Sequence, residues 1–300
     1  MSERRSQPFF VNSKSLALAI FVATLVIATQ TTVLNAQQAA PRSAPPSRFV
    51  QPEPINFNDH AGWTQIFDGK TLNGWDGPPD VWHVEGGSIV GESSTEHPSG
   101  TTNIIWRGGA PGNFELKLEM KLEGSGANGG VQYRSDNTPP KPRQISSEAL
   151  AQMAPEQKRR MEQDDALAQR HAKWNLTGYQ ADFDFNNRYT GQLYEQGTSR
   201  GIIAWRGQVV ATEPGKKPTL MSVLGTPEEL KSFVKPGEWN QVQIIADGST
   251  LVNIINGHVM SILVDTDPKF SQVKGLIALE IEGGGNLKIS HRDIWLKELP

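Results

Sequence analysis

The chain has 300 residues, with 29 lysines and arginines against 32 acids, a net charge of −3, and no cysteine. Disulfides, thiolate catalysis, Cys-ligated zinc and a lipid-modified cysteine are therefore excluded. The mildly acidic balance also argues against nucleic acid or an anionic membrane surface as partner.

Residues 1–14 carry Arg4, Arg5 and Lys14, Leu16 to Ala28 is an apolar run, and polar Thr29 to Asn35 leads to Ala36. That order predicts a signal peptide over residues 1–36 and export to a bacterial periplasm or exterior. The run is shorter than the roughly 20 residues of a membrane span, so no stable span is expected after cleavage. Leu34 is not the small residue preferred before a cut at Ala36, which leaves an uncleaved anchor as the alternative. Loss of residues 1–36, with three cations and Glu3, would move the net charge from −3 to −5. Residues 37–54 hold five prolines and few large apolar side chains, the composition of a disordered linker. Residues 55–300 are expected to form a single β-sandwich domain, with an insertion at 136–177.

Within that domain, Trp63–Phe67, Val81–Val84, Ser88–Gly91, Thr102–Trp106 and Gly130–Arg134 read as short strands. The clearest strand is Asn113–Glu123. Phe114, Leu116, Leu118, Met120 and Leu122 fall on one face and charged residues on the other, so one face is packed and one wet. Ser146–Lys173 breaks the pattern. It is rich in helix formers, Pro155 divides it, Glu156 and Arg160 form an i,i+4 pair, and Leu167, His171 and Trp174 make a narrow apolar stripe. A helical insertion lying on the sandwich is predicted, either as a rim of a cleft or as a surface excursion. Trp239–Ala246 is a further strand. Thr250–Ile255 and His258–Val264 flank Asn256-Gly257, a strong hairpin signal. Gly275–Ile281 and Leu287–Leu299 close the chain.

One strand is anomalous. Along Gly178–Phe185, Gln180, Asp182 and Asp184 alternate with Tyr179, Ala181, Phe183 and Phe185. Acids are scarce inside strands, so this polar face suggests the floor of a binding cleft, against the plainer reading of a solvated face. Asp182, Asp184 and Glu195 are the candidate catalytic carboxylates. Two acids at i and i+2 could act as a pair or hold Ca²⁺ or another divalent cation, although the sequence requires no cofactor. Gln132 and Arg134 would share the polar floor if their strand neighbours this one. Arg200, Arg206 and Tyr194 could bind substrate oxygens. Trp63, Trp82, Trp239 and Trp295 fit core patterns, whereas Trp75 and Trp205, beside Gly or Arg, are the candidate stacking platforms. The six histidines have no metal-binding spacing, and only His97, in a Gly/Ser-rich loop, is a site candidate. No phosphate-binding loop or nucleophile elbow is present.

Gly62–Glu92, GWTQIFDGKTLNGWDGPPDVWHVEGGSIVGE, resembles the opening of the 3-keto-disaccharide hydrolase domain family. Phe114–Glu123, GGVQYR at 129–134, Gly178-Tyr179-Gln180, TGQLY at 190–194, GEWN at 237–240, Asn256-Gly257 and RDIWLKEL at 292–299 resemble later family motifs in order. The resemblance implies a concanavalin A-like jelly-roll sandwich, a small saccharide as ligand, and glycoside cleavage of sugars oxidised at C3. A non-catalytic carbohydrate-binding module on the same sandwich is the alternative. The family commonly has Glu where this chain has Gln180, and an amide cannot serve as acid or base. A 3-keto group acidifies the C2 proton, so one base and one stabiliser of the enolate oxygen would suffice. Asp182 is the expected base, with Arg134 or a cation stabilising the oxyanion.

Overall fold

The computed structural model describes residues 56–140 and 144–300. The signal-peptide and linker assignments, and part of the insertion, lie outside the described residues. The strands described, in chain order, are β1 (Thr64–Gln65), β2 (Trp75–Asp76), β3 (Trp82–Glu85), β4 (Ser88–Ser93), β5 (Gly100–Trp106), β6 (Phe114–Glu123), β7 (Asn128–Asn137), β8 (Leu176–Asp184), β9 (Leu193–Gln196), β10 (Gly201–Ala204), β11 (Gln208–Thr212), β12 (Thr219–Val223), β13 (Asn240–Asp247), β14 (Thr250–Ile255), β15 (His258–Asp265), β16 (Leu276–Gly283) and β17 (Leu287–Glu298). They form a ten-stranded sheet, ordered β12-β11-β15-β14-β13-β6-β17-β4-β3 with β1 on β17, and a seven-stranded sheet, ordered β10-β9-β8-β7-β16-β5-β2. From β4 to β7 the chain changes sheet at every step, as it does again from β16 to β17. This is the path of an all-β jelly-roll sandwich.

The alternating strands meet as the sequence predicts. Leu116, Leu118 and Met120 of β6 join Tyr133, Tyr179, Phe183, Leu279 and Ile281 of the facing sheet in one core. Each fully buried Leu or Ile there contributes roughly 1.5–3 kcal/mol. Asn256 and Gly257 take φ of 49° and 79°, the left-handed pair that a two-residue hairpin needs. The outer face of β6 is drier than its charges suggest. Lys117 is buried, donates to the carbonyls of Phe57 (2.8 Å) and Asp59, and sits 4.3 Å from the Trp63 ring centroid. The segment before β1 thus folds across that face.

The insertion is helical as expected, with α1 (Ser147–Gln152), α2 (Pro155–Arg170) and a short 3-10 turn, Ala172–Trp174. Ser146 caps α1 by accepting from the Ala149 N–H, and Pro155 opens α2. Glu156 pairs with Arg159 at 2.9 Å rather than with Arg160. Leu167 lies over Gly100, and Trp174 and Leu176 pack with Ile105, Leu276 and Ala278 as a second small core. Asn103 Nδ2 donates to the Trp174 carbonyl (2.9 Å), and Trp174 Nε1 donates to Asp76 (2.8 Å). The insertion therefore roofs one half of the outer face of the seven-stranded sheet and leaves the other half as the polar face. No helix among the described residues is long and apolar enough to cross a membrane.

His291 on β17 is fully buried, with its ring centroid 6.3 Å from that of Trp82. Burial pushes its pKa down to about 3, against an ordinary 6.5. The folded protein keeps it neutral, whereas the unfolded chain takes up a proton below pH 6.5. Stability should therefore fall as the pH drops from 6.5 towards 3, by about 3 kcal/mol from this residue at pH 4. Urea unfolding at pH 7 and pH 4 should show that loss, and His291→Leu should flatten it. An unchanged slope in the variant would assign the acid sensitivity elsewhere.

Candidate active site

The register places one row of residues across the outer face of the smaller sheet. Asn103 on β5 faces Glu280 on β16, Glu280 faces Gly130 on β7, and Gly130 faces Asp182 on β8. The Asp182 N–H donates to the carbonyl of Gln192, just before β9. Residues directly opposite in antiparallel strands point to the same side, so these side chains share one face. Asp182 and Glu280 are two strand spacings apart, about 10 Å at Cα. The residue between them is glycine. A Cβ at Gly130 would meet the Ala181 carbonyl at 2.4 Å and Gln180 Nε2 at 2.9 Å. Gln180 uses this gap to lean across and donate from Nε2 to Glu280 Oε2.

The same arrangement recurs along the face. Gln192 Nε2 donates to Asp182 Oδ2 (2.5 Å), and Asn128 Nδ2 donates to Glu282 Oε2 (2.8 Å). Each carboxyl group has one oxygen held by a neutral amide, with no cation among the described residues paired to Asp182 or Glu280. Burial pushes Asp182 up to about 7; the Gln192 bond offsets part of this and the charges of Asp184 and Glu282 add to it. Burial, then the Glu282 charge, pushes Glu280 up to about 8, with the Gln196 and Gln180 amides opposing. Tyr194 is raised by burial and by the charges of Glu280, Glu282 and Asp182. Glu280 Oε1, Asn103 Oδ1 and Gln192 Oε1 are buried acceptors without a hydrogen-bond partner. A row of unpaired acceptors matches the chemistry of a ligand rich in hydroxyl donors.

Several residues singled out in the sequence lie elsewhere. Arg134 does not stay on the polar floor, because β7 bulges there. Its φ is 44° and the register with β8 shifts between Tyr133 and Asp136. Its buried guanidinium instead ties loops together, donating to the carbonyls of Gly112 (2.9 Å), Gly248 (2.7 Å) and Gln272 (3.3 Å) and to Asn113 Oδ1 (3.2 Å). Glu195 faces the sandwich interior opposite Tyr179 and pairs with Arg200 at 2.5 Å; Arg200 also reaches Asp265 at 2.7 Å. Asp184 is spent on the following loop, accepting from the N–H groups of Arg188 (3.1 Å), Tyr189 (2.6 Å) and Thr190 (3.1 Å). Arg206 holds that loop from the other side through Asn187 Oδ1 and the Thr190 carbonyl, both at 2.8 Å. Trp75 is buried and donates to the Ile66 carbonyl (2.8 Å), so it offers no open ring face.

Gln132 does lie on the polar face beside Gln180, bonded to Gln196 at 3.0 Å. Trp205 is 48% exposed. His97 lines a cavity of about 140 Å³ with Asp80, Glu96 and Arg170, where α2 meets the β4–β5 loop. For a metal, His83, Glu85 and Glu92 are grouped closely enough among the described residues, but Lys288 already neutralises them at 2.7 Å from Glu85 and 3.4 Å from Glu92. Sequence reading missed Glu280, Asn103, Gln192 and Glu282. The signal was available: Glu280 is a lone acid in the apolar strand Gly275–Ile281, the same anomaly that marked Asp182.

Glu280 and Asp182 both have raised pKa values, so folding favours their neutral forms. The stability this gives is full at pH 4 and is lost as the pH rises through about 7 and 8. Glu280→Gln should therefore leave the melting temperature nearly unchanged at pH 4 and raise it at pH 9. A variant less stable than the parent at pH 9 would contradict the buried, unpaired environment.

A family model described as the 3-keto-alpha-glucoside-1,2-lyase-like domain matches residues 62–297. A 3-keto-disaccharide hydrolase of Bacteroides thetaiotaomicron is 25% identical over 269 residues, covering 80% of this chain and 78% of that protein. Among solved structures, a candidate glycosyl hydrolase of Parabacteroides distasonis ATCC 8503 aligns with a TM-score of 0.44 at 18% identity, over 80% of this chain and 95% of its own. The carbohydrate binding module CBM66 from Bacillus subtilis aligns with a TM-score of 0.42 at 13% identity, over 75% and 96%. Because the family model spans nearly the whole sandwich, the chain belongs to the 3-keto-alpha-glucoside-1,2-lyase-like domain family.

Proposed function

We propose that the protein, exported as its N-terminal residues suggest, cleaves glycosides of 3-keto saccharides on the polar face of the seven-stranded sheet. The observation that carries this reading is the buried, cation-free pair Asp182 and Glu280, raised to about 7 and about 8. Near neutral pH one carboxyl can be ionised while the other keeps its proton, the division of labour that acid–base catalysis needs.

In the proposed sequence Asp182 removes the C2 proton, made acidic by the C3 ketone. Protonated Glu280 donates to the C3 oxygen as it gains negative charge. The electron pair from the C2–H bond first forms the C2–C3 bond of an enolate; as the C3 carbonyl re-forms, with Glu280 keeping its proton, that pair moves to make the C1–C2 double bond and the C1–O bond breaks. The proton on Asp182 passes to the departing oxygen, releasing an alcohol and an unsaturated keto sugar. Addition of water across that double bond would complete a net hydrolysis. Gln180 acts as a positioning residue: its amide fixes Oε2 of Glu280 and leaves Oε1 unpaired. This gives position 180 a part in the chemistry without a carboxylate.

Purified protein should release the alcohol from a 3-keto-glucoside, with a bell-shaped kcat/KM profile peaking between about pH 7 and 8. Asp182→Asn and Glu280→Gln should each lower kcat by about 10²-fold or more with little change in KM. Saccharide binding without turnover by the parent protein would favour the binding-module alternative. Full activity in Asp182→Asn would remove the base assignment.

A further inference from the structure

The row carrying Asp182 does not end at Gln192. Ala204, the last residue of β10, pairs with Leu193, the first of β9; Trp205 follows the one and Gln192 precedes the other. Ala204 is buried in the core, and Trp205, the residue after it, is exposed at the edge of the sheet that carries Tyr194 and Asp182. Trp205 is about 10 Å from Asp182 by strand spacing, on the side away from Glu280. The strand end beside its turn is apolar. Val223 pairs with Gln208 and the Leu224 N–H donates to the Gly207 carbonyl at 2.8 Å, so both lie against the turn that carries Trp205. Val223 is 67% exposed and Leu224 36%. Gln208 Oε1, the nearest side-chain acceptor in that turn, is occupied by the Trp205 N–H at 3.0 Å.

We propose that Trp205, with Val223 and Leu224, forms the leaving-group subsite, and that it takes an aromatic or other apolar aglycone in preference to a second sugar. The inference rests on the reading above and fixes the direction of the substrate. The row runs Glu280, Asp182, Gln192, Trp205, and the reacting atoms run C3 ketone, C2, C1, leaving group. With the ketone at Glu280, the aglycone is carried over Gln192 onto Trp205. A sugar in that subsite would set its hydroxyls against apolar side chains, whereas an aryl ring would stack on the exposed indole.

The test compares 4-nitrophenyl 3-keto-α-glucoside with the 3-keto derivative of maltose, in the parent protein and in Trp205→Ala. The variant should lose about tenfold in kcat/KM on the aryl substrate and stay within about twofold on the disaccharide. Equal loss on both would show that the subsite accepts a sugar and would overturn the apolar preference. No loss on either would overturn the subsite. If the parent turns over neither substrate, the catalytic reading fails separately. Calorimetric binding of unoxidised 4-nitrophenyl α-glucoside and of maltose then decides the subsite: selective weakening of the aryl ligand in Trp205→Ala supports it, and unchanged aryl affinity overturns it. An unaltered melting temperature in the variant confirms that the fold is intact.

Discussion

Burial of carboxyl groups without a counter-charge organises the polar face of this sandwich. A buried carboxylate is normally paired with Arg or Lys, and this chain does so freely elsewhere, as Glu195 and Asp265 do with Arg200. Along the row from Asn103 to Gln192 the donors are amides instead. An amide fixes the direction of a carboxyl group but supplies no charge, so the cost of burial remains and is expressed as raised pKa values. Stability is given up on this face, and the large core between the two sheets is what can bear the loss.

The sandwich and its insertion divide the work on that outer face. One half is covered by Trp174 and Leu176 against Ile105 and Ala278, which seals apolar surface that would otherwise face water. The other half stays open, with its loop at Asn187–Thr190 held by Asp184 from one side and Arg206 from the other. The strongest hydrogen-bonding residues near the site are thus spent on backbone rather than on ligand. They make a rigid surround for a few groups that keep an open valence.

Much of the fold was legible because period-two alternation is local. The strand Asn113–Glu123, the Asn-Gly hairpin and the helical insertion follow directly from neighbouring residues. The site was legible in part. Asp182 stood out because it is an acid in an apolar strand. Arg134 misled because alternation assumes a continuous strand, and a bulge carried it off the face. Glu195 is adjacent to Tyr194 and so faces the opposite side of the sheet, a consequence of the same alternation that joins Tyr194 to Asp182. Glu280 is nearly a hundred positions away from Asp182 in the chain, and only the pairing of β16 with β7 and of β7 with β8 brings them together. Gln180 looked like a lost carboxylate because its partner, Glu280, could not be seen from the local sequence.

Gly130 constrains the polar face in a way that the acids themselves do not reveal. Asp182 and Glu280 flank a residue with no side chain, and Gln180 occupies the space this frees. An added methyl group there would press on the Ala181 carbonyl as well as on the Gln180 amide, so it would strain the pairing of β7 with β8 together with the link to Glu280. On the proposed reading, the link between the two acids thus depends on a residue that carries no functional group of its own.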